Sequence, residues 1–333
     1  MVRGFLGVVA TTLLILWGAF GFAGSWKLLY NPSVDEDIDL YSIWFVSPKE
    51  GWAVGGKFLE EKGVILHTTD GGKTWEVQEN PSEKTLWDVC FVTPKVGWAV
   101  GAGGMILHTS DGGKTWKQQM SKVTNWLYGV TFLNEKVGYA VGMGETILKT
   151  TNGRSWRVLK GGKPGAAIGE EVLLADVAFV NENKGWAIGQ NGEILYTEDG
   201  GKTWTMQRSG LEEMAKEYNL VLWGISFADE MRGCIVGDYG IILLTEDGGK
   251  SWKRVKTPTE ENLKGVCMLK GGQGWAVGEL GTILHTTDGG KTWVKEDWES
   301  PGGKNFEFRS VFALDPKTAW ITGQWGMVLK YKP

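Results

Sequence analysis

Metal and disulfide chemistry have little to work with in this chain. Among 333 residues there are only three histidines and three cysteines, and no cofactor motif accompanies them, so neither a metal centre nor a cofactor is expected. Arginine is scarce too. Six arginines follow residue 23, and five of them (Arg154, Arg157, Arg208, Arg232 and Arg254) come from the middle of the chain. A net charge of −4 supplies no basic face of the kind nucleic acid requires. The 50 glycines show no Gly-X-Y triplet, which excludes collagen, and 19 tryptophans with 42% hydrophobic residues argue against disorder. What remains is an all-β protein rich in tight turns.

Residues 1–23 stand apart. Arg3 precedes an uncharged run from Gly4 through Phe22, and Gly21-Phe22-Ala23 places small residues at −3 and −1 of a cut after Ala23, as in a secretory signal. The run is also about long enough to span a bilayer, ~20 residues, so an uncleaved membrane anchor is the alternative. No cysteine lies near the cut to carry a lipoprotein anchor. In both readings residues 24–333 are an exported, extracytoplasmic domain.

That domain is a repeat. Gly-Trp-Ala-Val-Gly occurs at 51–55, 97–101 and 274–278, with relaxed copies at 138–142, 185–189, 233–237 and 319–323. Successive starts are 46, 41, 47, 48, 41 and 45 residues apart. A Leu-x-x-Val-x-Phe run precedes each copy, and Gly-x-Ile-Leu-x-Thr follows. Six copies then close with a turn and a tryptophan: Trp75, Trp116, Trp156, Trp204, Trp252 and Trp293. Four short strands per unit of ~40–45 residues describe a propeller blade. The seventh unit ends after three strands, but Ser25–Ser33 aligns with Thr74–Ser82. The fold expected is a seven-bladed β-propeller of four-stranded antiparallel blades, its last blade completed by the N-terminal strand, and a monomer.

The turn before each tryptophan carries Asp70, Asp111, Asp199, Asp247 or Asp288, with Asn152 in the third copy. Asp can bond its own turn backbone, and glycine accepts positive φ. The tryptophan then packs inward, burying ~150–250 Å², an upper bound of about 4–6 kcal/mol at ~25 cal/mol per Å². A group repeated around a rim cannot converge on one substrate, so these aspartates read as structural. Cys90 and Cys267 share one register position, Cys234 stands at an aromatic one, and His67, His108 and His285 share another; all read as repeat residues, the cysteines as free buried thiols.

Function is expected where the repeat is broken. In a four-stranded meander the Asp-box turns occupy one face, and the departures lie on the other. There the link from Trp to the next Leu grows from 11 residues to 18 after Trp156 and Trp204, and to 15 after Trp293. Blade 1 is lengthened at Lys57–Glu61, and Leu211–Tyr218 suits a short helix. The central entrance of this face should be lined by Tyr41, Trp87, Tyr128, Trp223 and Arg309. Gln190, Asn191, Asp238, Tyr239, Glu279, Gln324 and Trp325 occupy the loop tips. Packing between blades is the competing use of the aromatic set. A second candidate is a basic side wall of Arg154, Arg157, Arg208, Arg254, Lys253 and Lys256, for an acidic partner or a membrane surface; edge-strand protection would need the same charges.

The seven-fold GWAVG-x-x-G-x-I-L-x-T-x-D-G-G-K-T-W pattern resembles the photosystem II assembly and stability factor family, a branch of the Asp-box (BNR-like) propellers. The resemblance covers nearly all of residues 24–333. It implies an exported, non-enzymatic scaffold that binds a protein partner, escorting a membrane protein during complex assembly. It also implies a basic face, to which the Arg154–Arg254 wall would correspond. A related scaffold role in a non-photosynthetic bacterium fits the same pattern. The competing class is an Asp-box glycoside hydrolase or carbohydrate-binding propeller. A sialidase would need three clustered arginines and an Arg-Ile-Pro start, which are missing, while Asp238 and Glu279 on neighbouring blades could form an acid/base pair.

Overall fold

The structure is a computed structural model that describes residues 25–30, 38–57, 62–162, 172–298, 300 and 306–333. Residues 1–23, most of the blade 1 insertion and parts of two long links therefore lie outside the described residues. Seven four-stranded antiparallel sheets form the ring. Six are meanders of consecutive strands. In the seventh, Ser25–Tyr30 pairs with Val328–Lys332, which continues to Thr318–Gly323 and Phe308–Asp315. The N-terminal strand thus completes blade 7, as the aligned ends required. The strands of all seven blades lie between Ser25 and Lys332, so the ring closes without the leader.

Five of the seven joints between blades are stacks of rings. The aromatic of one blade's second strand lies flat on the phenylalanine ending the next blade's inner strand. Trp98 meets Phe132 at 3.5 Å and 10°, Tyr139 meets Phe179 at 3.6 Å and 8°, and Trp320 meets Phe45 at 3.5 Å and 6°. Trp52 with Phe91 and Trp186 with Phe227 repeat it. The outer-strand tryptophan then stands edge-on to that phenylalanine, as Trp156 does on Phe132 at 5.7 Å and 88°. Stacked and T-shaped pairs both suit the ring quadrupoles. The motif's first glycine follows from this. A Cβ on Gly97 would sit 2.6 Å from the Phe91 ring. Its last glycine packs against the link, since a Cβ on Gly101 would meet the Thr85 carbonyl at 2.2 Å.

Hydrogen bonds tie the same joints. Three outer strands carry a glutamine that reaches into the next blade. Gln119 Oε1 accepts from Trp156 Nε1 at 2.8 Å while its Nε2 donates to Gly153 O at 2.9 Å. Gln78 and Gln207 do the same for Trp116 and Trp252. At the closing joint Glu296 takes this place: Trp26 Nε1 donates to it at 2.7 Å, and its other oxygen lies 3.0 Å from His285 Nδ1. His285 stacks on Trp275 at 4.7 Å, and His67 and His108 repeat this on Trp52 and Trp98. Cys90 and Cys234 are free and buried as expected; Cys267 is also free but only partly buried, a correction to the sequence reading.

The Asp boxes are self-contained turns. Asp111 accepts from Thr109 Oγ1, Thr115 N and Thr115 Oγ1 at 2.7–2.9 Å, and Asp70, Asp199, Asp247 and Asp288 are held alike. These donors, chiefly Thr74, hold the Asp70 carboxyl down at about 2. Each turn also donates to the neighbouring hairpin on its face, as Gly112 N does to Lys95 O. This fixes the faces as expected, with the links and the helix Glu212–Tyr218 opposite. Ser25 pairs with Lys332 at the Asp-box end of its strand, so the chain enters the ring from that face.

Inside the ring two carboxylates bridge inner strands. Asp88 accepts from Ser42 Oγ in blade 1, its neighbour Val89 N, and Val130 N in blade 3, at 2.7–2.8 Å. Asp176 accepts from Val177 N and, in blade 5, Ile225 N. Both still touch the channel lumen, yet the ring hems them in. Burial pushes Asp88 up to about 6 against the pull of its donors, and burial together with Asp88 pushes Asp176 up to about 7.

Two outcomes follow. Gly97→Ala should cost about 1–3 kcal/mol by overpacking the Phe91 stack, read as a lower urea midpoint at unchanged slope. Because both carboxyls titrate above the unfolded aspartate value of 3.8, the folded ring holds more protons than the unfolded chain between about pH 4 and 7. Stability from these two groups should therefore fall as pH rises through that window. Urea titrations across it should lose this component in Asp88→Asn/Asp176→Asn, whatever that variant costs at a single pH.

Candidate functional site

Inner strands begin at the link face, so the residue after each strand's first apolar position points into the entrance of the channel. Around the ring these residues are Tyr41, Trp87, Tyr128, Ala175, Trp223, Lys264 and Arg309. With Asp39 and Leu173 they line a cavity of about 560 Å³, within the ~300–1,000 Å³ of ligand sites. It admits a few side chains, not a folded domain. A narrower space below it reaches Asp88 and Asp176.

The mouth has two unlike walls. On blades 1–3 Tyr41 packs on Trp87 at 4.3 Å, and Trp87 on Tyr128 and Trp126 at 5.2 and 5.9 Å. Burial, then Asp39, pushes the Tyr41 phenol up, and burial pushes Tyr128 up to about 12, so both are neutral hydroxyls at physiological pH. On blades 5–7 the wall is charged. Lys264 lies 4.2 Å above the Trp223 ring and touches Asp238 and Glu279 at 3.7 and 3.4 Å. Trp223 Nε1 donates to Asp238 at 2.7 Å. Arg309 lies over Tyr41 and pairs with Glu307 and with Asp39 at 3.5 Å. Burial raises the Glu307 carboxyl despite this arginine. Ala175, between the walls, leaves a notch.

Five of the seven residues expected on the decorated face therefore meet in one cavity: Tyr41, Trp87, Tyr128, Trp223 and Arg309. Tyr239 and Trp325 do not line it. They stand at the loop tips, Tyr239 exposed and Trp325 half-buried edge-on to Phe306 at 5.2 Å. Lys264 and Ala175 were missed, although the register that picked out Trp223 and Arg309 marks the same position in their blades. Asp238 and Glu279 are brought together, but around the shared Lys264 rather than with space for a substrate between them.

The basic wall is dispersed. Arg157, Lys253 and Arg254 are exposed on the outer strands of blades 3 and 5. Blade 4 lies between, presenting Thr205 and a Met206 that is 71% exposed. Arg208 and Lys256 sit past the ends of their strands toward the link face, and Arg154 belongs to an Asp-box turn. Among the described residues no group of three or more His, Cys, Asp or Glu side chains could hold a metal ion.

This geometry can be set beside known proteins. The family described as photosynthesis system II assembly factor YCF48 matches residues 75–167, 165–266 and 252–332. No curated protein sequence matches the chain. Among solved structures, YCF48 from Cyanidioschyzon merolae is similar at 22% identity and a TM-score of 0.71, covering 93% of this chain and 99% of its own. A YCF48 bound to D1 peptide aligns at 21% identity and 0.70, covering 92% and 97%. Virginiamycin B lyase from Staphylococcus aureus is as similar in shape, at 14% identity and 0.73, covering 93% and 99%. At such identities the structural likeness speaks for the fold alone; the family match runs through six of the seven blades and into the last strand of the chain. This chain belongs to the photosynthesis system II assembly factor YCF48 family.

Proposed function

We propose that this protein is an exported, non-enzymatic scaffold whose mouth takes a short segment of a protein partner, a membrane protein or its assembly intermediate. The observation that carries this reading is the two-walled mouth. Its aromatic wall offers rigid, amphipathic contact area of the kind that anchors interfaces, and its charged wall offers oriented donors and acceptors. Family membership and a family protein solved with a D1 peptide support a peptide-like occupant. The dispersed arginines argue for the mouth over the side wall as the first contact.

Carbohydrate hydrolysis is the second reading, favoured only by the proximity of Asp238 and Glu279. Lys264 sits between them and pairs with both, which suits a structural triad better than a general acid opposite a base. Glycan release by the protein, abolished in Asp238→Asn, would establish an enzyme instead.

Residues 1–23 place the scaffold outside the cytoplasm in this reading. A cut after Ala23 leaves a single residue before the first strand. An uncleaved leader would tether the ring by its Asp-box face and turn the mouth away from the membrane. Sequencing the N-terminus of the exported protein should return Gly24; a start at Met1 identifies the anchor.

The binding test uses a D1 peptide, the calorimetric affinity of the ring from Ser25 to Pro333, and three variants. Tyr128→Ala and Trp87→Ala should each weaken binding about ten-fold or more, near 1.4 kcal/mol, with little change in melting temperature. Reversal of Arg157, Arg208 and Arg254 to glutamate should change it little. The opposite pattern would move the site to the side wall, and no binding by the parent would remove the photosystem client from the proposal.

A further inference from the structure

The rim beside the mouth carries a feature that neither the fold nor the cavity needs. The turn between second and third strands passes through left-handed backbone in blades 2 to 7. At the first left-handed position blades 2 and 3 place Gly103 (φ 65°) and Gly144 (φ 66°), the latter followed by Glu145 (φ 50°), and blade 4 places Asn191 (φ 60°); glycine and asparagine are suited to it. Blades 5, 6 and 7 instead place Tyr239 (φ 57°), Leu280 (φ 52°) and Trp325 (φ 56°). Bulky side chains are disfavoured in that region, and a strained residue kept without a packing reason points to function. Trp325 packs on Phe306. Tyr239 and Leu280 are 40% and 50% exposed, so burial does not explain them, and Tyr218 of the nearby helix, 49% exposed, stands edge-on to Tyr239 at 5.6 Å.

The two exposed tips are held in one frame. Tyr239 N donates to Asn262 Oδ1 at 2.9 Å, and Asn262 Nδ2 donates to Glu279 Oε1 at 3.0 Å, beside Leu280. Carboxylates outnumber cations around the two tips. Asp238 and Glu279 share the single cation Lys264, and Glu260 and Glu261, on the link between the tips, form no ion pair among the described residues. An apolar pair within unmatched carboxylates repels acidic chains and anionic lipid, and complements a segment that is apolar and cationic.

We propose that the rim of blades 5 and 6 is a docking surface, separate from the mouth cavity, for a basic apolar segment of a protein partner. Its apolar side chains rest on Tyr218, Tyr239 and Leu280, and its Lys or Arg side chains face Glu260, Glu261 and Glu279. The decisive variant is Tyr239→Gly/Leu280→Gly, because glycine relieves the left-handed backbone while removing the contact.

The probe is a fluorescent twelve-residue peptide of alternating leucine and lysine, with a leucine–glutamate twin, read by anisotropy against the ring from Ser25 to Pro333. The lysine peptide should bind at least ten-fold tighter than its twin. The double glycine variant should lose at least ten-fold in affinity while its melting temperature stays level or rises. Glu260→Gln/Glu261→Gln should weaken binding and flatten its salt dependence. Tyr128→Ala, in the mouth, should leave the affinity within two-fold. Equal binding of the twin, unchanged binding by the glycine variant, a lower melting temperature in it, or loss on Tyr128→Ala would each overturn the proposal. That last result would also assign the peptide to the mouth, so the two sites fail separately.

Discussion

A flat contact between two rings, repeated at five of the seven blade joints, governs the sequence of this protein more than any other interaction. For a phenylalanine to lie within 3.5–3.7 Å of the neighbouring blade's aromatic, the strand beside it must lack a side chain where the ring passes. The glycine that opens Gly-Trp-Ala-Val-Gly meets that need. The outer tryptophan closes the stack from the edge, and the turn before it must deliver that tryptophan without strain, which Asp, Gly-Gly and Thr accomplish. One packing constraint thus accounts for both ends of the repeat.

Departures from the stack are informative for the same reason. At the joint from blade 5 to blade 6, Cys234 and Met268 replace the aromatic and the phenylalanine, a softer pair whose polarisable sulfurs fill the gap. At the joint that closes the ring, Ala313 occupies the phenylalanine position, and Trp26 and Tyr331 gather around Trp275 instead, at 6.2 and 5.3 Å. Glu296 replaces the glutamine of other joints there and finds both the Trp26 indole and His285. The closing strand comes from the far end of the chain, and this joint receives an ionisable clasp where the others use an amide.

The blade count, the N-terminal closure and the two faces were all legible in the sequence, because each is a property of register. Trp223 and Arg309 were found in the mouth by the same register. Lys264, Asp88 and Asp176 were not legible, because a lone charged residue on an inner strand has no distinctive neighbour in sequence. The role of the two aspartates comes from amides in other blades, at Val130 and Ile225, about forty to fifty residues away. The basic residues are spread over several blades for a related reason. Arginines equivalent in sequence lie one or two blades apart in space, and whatever stands on the blade between, here Met206, belongs to the same surface.

Symmetry limits where side chains of this ring can converge. A ring of seven like blades gives every equivalent position the same distance from the axis, so only residues near the axis can converge on one ligand. The repeat keeps its apolar lock at the first position of each inner strand. It relaxes at the next, where Tyr, Trp, Tyr, Ala, Trp, Lys and Arg follow around the mouth. The loop tips show the same relaxation further out, with glycine or asparagine in blades 2 to 4 and bulky residues in blades 5 to 7. Both sets of departures fall on the link face, and blades 5 to 7 contribute to each. The Asp-box face, where the chain enters, remains nearly uniform. A ring that is regular where it is held and irregular where it opens presents one uniform face and one face of unlike sectors.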